Sequence, residues 1–63
     1  MSADLRTIYN EWLMSAQGAV ERGDKQAAMF CLGQAMRCAN KVRDGRYRAA
    51  VFRAMSFTRR IAA

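Results

Sequence analysis

Few side chains in this sequence could do chemistry, so their spacing decides what they are for. Cys31 and Cys38 are its two cysteines, and it has no histidine. Two thiolates alone cannot complete a tetrahedral zinc site. They lie seven residues apart in a stretch that reads as helix, which puts their Cα atoms about 10 Å apart, beyond the ~7 Å that a disulfide spans. Both fall on one helix face beside an apolar stripe, where a free cysteine behaves as a small hydrophobe. Without histidine, no side chain has an ordinary titration range near neutral pH with which to shuttle a proton. The carboxylates Asp4, Glu11, Glu21, Asp24 and Asp44 fall at helix starts or on polar faces, where capping and solubility account for them. The glycines form no loop of the kind that cradles phosphate. The residues therefore predict a chain that is not an enzyme, with no catalytic side chain, metal or cofactor.

What remains is the chemistry of arginine. The chain has 63 residues and a formal net charge of +6, but that charge is unevenly placed. Residues 1–36 carry three basic and four acidic side chains, and residues 37–63 carry eight basic and one acidic. The second half is +7 and the first −1. An asymmetry of this kind points to an anionic partner: an acidic protein surface, nucleic acid or anionic lipid.

The elements that must carry these charges follow from glycine placement and apolar periodicity. Proline is absent. Gly23, before Asp24, and Gly45, after Asp44, mark where helices stop, which divides the chain into helices over about 3–22, 24–42 and 45–61. Gly23 suits the left-handed position that ends a helix, and Asp24 suits the cap of the next. In the first helix Leu5, Ile8, Tyr9, Trp12, Leu13, Ala16, Ala19 and Val20 recur at helical spacing and cover about 140° of its circumference. Ala28, Leu32, Ala35, Met36 and Ala39 form the corresponding stripe of the second, and their small size allows a neighbour to approach closely. The third places Tyr47, Ala50, Val51, Ala54, Met55, Phe57 and Ile61 inward. Arg46, Arg53 and Arg60 line one flank of that stripe, and Arg48 and Arg59 the other. The expected fold is one all-α domain over 1–63: an antiparallel helical hairpin plus a basic third helix.

A domain this short buries only roughly 60% of the surface its unfolded chain exposes. It therefore needs regular helix packing or self-association for stability, and a homodimer is expected. Met14, Phe30 and Phe52 break the pattern by projecting from otherwise polar faces. Stray aromatics beside arginines are the residue types that anchor partners at interfaces.

Trp12, Ala16, the Gly23-Asp24 turn, Ala28, Leu32 and Ala35 together resemble a single tetratricopeptide-type helical hairpin over about residues 12–40. Ser15, Ala19 and Asn40 depart from that pattern, and no second copy follows. The resemblance implies protein or peptide binding and carries no catalytic residue.

Two uses of the surface follow. In the first, Phe30, Phe52, Arg46, Arg48, Arg53, Arg59 and Arg60 press against a protein partner with an acidic surface and modulate what it does, a profile shared by small phage- or plasmid-encoded inhibitors and adaptors. In the second, the same arginines with Lys41 and Arg43 neutralise phosphates of DNA or RNA, with Tyr47 or Phe52 stacking on bases, largely independent of sequence. No stretch approaches the ~20 apolar residues of a membrane span, and the N-terminus lacks the pattern of a secretory signal. A cytoplasmic location is expected.

Overall fold

The computed structural model describes residues 4–61. It contains three helices and, among the described residues, no strand: α1 (Leu5–Glu21), α2 (Lys25–Val42) and α3 (Gly45–Ile61). Residue 3, expected at the head of the first helix, and the side chain of Ile61, expected in the third stripe, lie outside what is described.

Each helix starts on an aspartate. The Asp4 carboxylate accepts from the Arg6 amide at 3.2 Å, Asp24 from Ala27 at 3.0 Å and Asp44 from Arg46 at 3.0 Å. Each thereby satisfies an amide that the first helical turn leaves without a partner. The first turn closes as a Schellman motif: the Gly23 amide donates to the Val20 carbonyl and the Asp24 amide to the Ala19 carbonyl, with Gly23 at φ 77°. This is the expected use of Gly23.

The second turn differs from the first. Its left-handed residue is not a glycine but Arg43, at φ 62°, and Gly45 is the first residue of α3, at the expected bound. The reason is register. In both turns the left-handed residue immediately precedes the capping aspartate, and before Asp44 that position belongs to Arg43. A left-handed conformation at a residue with a Cβ costs about 1–2 kcal/mol.

The three helices lie nearly side by side with α2 in the middle: the molecule is 24 Å wide but 12 Å thick. Short turns make α1 and α2 antiparallel, and α2 and α3 likewise, so α1 and α3 run parallel. Ala16, Ala19, Ala28, Leu32, Ala35, Ala39 and Val51 are almost wholly buried, as their spacing predicts. Ile8, Trp12, Leu13, Met36, Tyr47, Ala54 and Met55 pack against them. Cys38 is buried and Cys31 half-buried, both as free thiols.

Two residues of α3 do not follow the expected stripe. Phe57, expected inward, is 56% exposed. Thr58, expected nowhere in the core, is buried, and its hydroxyl donates to the Ala54 carbonyl at 2.8 Å. At 100° per residue Thr58 lies about 20° from Val51 and Phe57 about 120° from it. Only a close neighbour on that flank would cover the phenylalanine, and there Phe57 instead lines open space between α3 and α1.

Candidate interaction surfaces

Contact between α1 and α3 centres on their N-terminal ends. Tyr9 and Tyr47 meet there with ring centroids 4.7 Å apart and ring planes tilted by 55°, and the Tyr9 hydroxyl donates to the Tyr47 carbonyl at 3.0 Å. Burial pushes the Tyr9 phenol above its ordinary value of 10.0, and Tyr47 adds to this, while the positive charge of Arg53 pulls the other way.

Beyond this junction a groove of about 370 Å³ lies between the two helices. Leu13, Gln17 and Val20 of α1 form one wall, and Ala50, Ala54 and Phe57 of α3 form the other. Leu32 of α2 lies at its base. The lining is chiefly apolar, and the volume falls within the range of sites that hold small ligands or side chains.

Helix α3 carries two aromatic-and-arginine faces. Arg48, Phe52 and Arg59 fall within about 40° of one another around the helix, and Arg53, Phe57 and Arg60 within about 60°. Phe52 and Phe57 are about 140° apart, so the two faces look in different directions. All six side chains are exposed, Phe52 at 61%. The first face matches the residues singled out in the sequence. The second borders the groove, and Phe57 in it was missed because the inward stripe had absorbed it. Its wide angle from Val51 is the signal that finds it.

Arg46 is exposed but paired with its neighbour in the turn. Its guanidinium donates to both carboxylate oxygens of Asp44, Nε at 3.3 Å and Nη2 at 3.0 Å. These bonds hold the Asp44 carboxyl below the usual carboxylate range. Part of the hydrogen-bonding capacity expected to meet a partner is therefore engaged at the head of α3.

Phe30, on α2, is 61% exposed and meets the ring of Trp12 edge-on at a centroid distance of 6.0 Å. Beside it, the flank of α1 away from the groove holds a shallow depression of about 290 Å³ lined by Ile8, Glu11, Trp12 and Ser15. Met14 is the most exposed of the large apolar residues at 70%. The structure thus bears out the expected exposure of Met14, Phe30 and Phe52. They stand on α1, α2 and α3 respectively. Among the described residues, no helix is long and apolar enough to cross a membrane.

Comparison with known proteins finds no matching family model, no similar curated protein and no similar solved structure.

Proposed function

We propose that this chain is a non-enzymatic protein-binding module, acting in the cytoplasm, that modulates a partner through apolar side chains framed by arginines. The observation that carries the reading is the exposure of Phe30, Phe52 and Phe57 together on so small a fold, two of them on a helix with five arginines. Single exposed apolar residues are ordinary. Aromatics set beside arginine are the composition enriched in interface anchors. A homodimer is compatible with the same surfaces, because a small core gains stability by covering them.

The pairing of Phe52 with Arg48 and Arg59 favours one other reading, a basic surface for DNA or RNA in which the ring stacks on bases. The two are separated by measuring retention of partners by the wild-type chain and by a Phe30→Ser, Phe52→Ser double variant, alongside titration with short mixed-sequence nucleic acid at low and high salt. Protein binding predicts a partner retained at moderate salt and lost in the double variant. Nucleic-acid binding predicts complexes that dissociate steeply as salt rises and that tolerate loss of Phe30; this result would reverse the ranking.

A further inference from the structure

We infer that the groove between α1 and α3 seats one amphipathic helix of a partner protein, with carboxylates along the flank that faces α3. This rests on the protein-binding reading and assigns it a place and a chemistry.

Length supplies the first argument. Leu13 to Val20 on one wall and Ala50 to Phe57 on the other each span seven residues, about 10 Å of helix. That is the axial distance between the first and last anchors of a helix that inserts side chains at i, i+3 or i+4, and i+7. An extended peptide would cover the same distance in about three residues and offer alternate side chains to only one wall. The volume of about 370 Å³ suits a few aliphatic side chains and not a whole helix, so the occupant lies on the groove and inserts one face.

Charge supplies the second argument, and it is directional. Arg53 and Arg60 follow the α3 wall, alternating with Ala50 and Phe57 at spacings of three and four, and both are exposed. The α1 wall offers Gln17, which is neutral, and Glu21 stands one turn beyond it near the open end. One rim is cationic and the other neutral to acidic. An occupant helix with carboxylates on a single flank satisfies both rims in one orientation and meets unlike charge in only that one. Phosphate backbones would place anions along the cationic rim but supply nothing for Leu13, Val20 and Phe57 to cover. A second copy of this chain would bring its own net charge of +6 against the same arginines.

The test uses the full chain and a fluorescein-labelled synthetic helix with leucines at i, i+4 and i+7 and glutamates along one flank. Binding is read by anisotropy and located by methyl NMR. We expect perturbation at Leu13, Val20 and Leu32, and a loss of affinity of at least about tenfold when the glutamates become lysines. Ala54→Trp, which fills the groove, should weaken binding similarly. Because that variant risks the fold, the exposed pair Arg53→Glu and Arg60→Glu provides a second disruption, expected to weaken the glutamate helix and to restore binding of the lysine helix. Asn40→Ser, an exposed neutral position on α2 away from the groove, should leave affinity within about twofold. Perturbation confined to Trp12, Phe30 or Phe52, or no binding of the helix while a partner is still retained through those residues, overturns the groove assignment and leaves the protein-binding reading standing. Concentration-dependent dimerisation that shifts the groove methyls assigns the groove to a second copy, and displacement of the helix by nucleic acid at those methyls assigns it to nucleic acid; either overturns the inference.

Discussion

The α1–α2 hairpin and the α2–α3 seam use the same devices, an aspartate cap after a left-handed residue and an apolar stripe at helical spacing, yet they differ in how closely their backbones approach. In the hairpin both helices bring alanine to the contact: Ala16 and Ala19 on one side, Ala28, Ala35 and Ala39 on the other, all nearly wholly buried. Helix α3 brings Tyr47, Val51, Met55 and Thr58, which are bulkier, and its approach to α2 is less extensive. Small residues at a crossing set the interaxial distance, and each added branch pushes the axes apart. A closely packed hairpin and a less closely packed third helix are the result, and the groove lies between α1 and α3.

The largest expected effect tests whether the two regions share one core. Leu32 is wholly buried and faces both the hairpin and the groove. Leu32→Ala should cost about 3 kcal/mol, a large fraction of the stability of so small a domain, and lower the urea midpoint followed by helical circular dichroism. Next is Val51→Ala, which removes a wholly buried aliphatic side chain of α3. About 2 kcal/mol should be lost, and amide exchange should quicken in α3 well before α1 and α2. Equal loss of protection in all three helices would break the comparison and make the two seams one unit.

Tyr9→Phe deletes the hydroxyl that holds α1 to α3 and should cost about 1 kcal/mol, again felt first in α3 exchange. Burial of the same phenol predicts alkaline sensitivity. The Tyr9 phenol is held above its ordinary value of 10.0, so the stability it contributes is complete below pH 10, falls as pH rises beyond, and is lost once the folded-state phenol ionises. A pH series of melts on the wild type and on Tyr9→Phe checks this, because the variant should lack that component. The smallest effects come from the turns and have opposite signs. Gly23→Ala forces a Cβ into a left-handed backbone and should destabilise by about 1 kcal/mol, whereas Arg43→Gly relieves such a conformation and should stabilise by somewhat under 1 kcal/mol. Thermal melts of the two variants read both.

Much of this architecture is legible in the residues. Three helices, their bounds to within two positions, the caps at Asp24 and Asp44, and the burial of Ala16, Leu32 and Val51 all follow from period and turn chemistry, which are local. The exposure of Phe30 and Phe52 follows too, because each breaks its helix's pattern. The distance between α1 and α3 does not, since it is set by the sum of side-chain volumes on α2 and by where Tyr9 meets Tyr47. Phe57 illustrates the limit: its angle on α3 permits either burial against α1 or a place in a groove wall, and only the spacing of two helices that do not adjoin in sequence decides. Arg43 was hidden for a simpler reason, because a neighbouring glycine offered a more ordinary candidate for the left-handed turn.

The placement of the aromatic residues gives the molecule two separate optical signatures. Its single tryptophan sits against Phe30 in the hairpin, and both of its tyrosines sit where α1 meets α3. Tryptophan emission therefore follows the opening of the hairpin, and the near-ultraviolet dichroism of the paired tyrosines follows the departure of α3. On heating, superimposable curves would identify a single all-or-none transition; an earlier tyrosine signal would reveal a state in which the third helix has swung free and the first two remain paired.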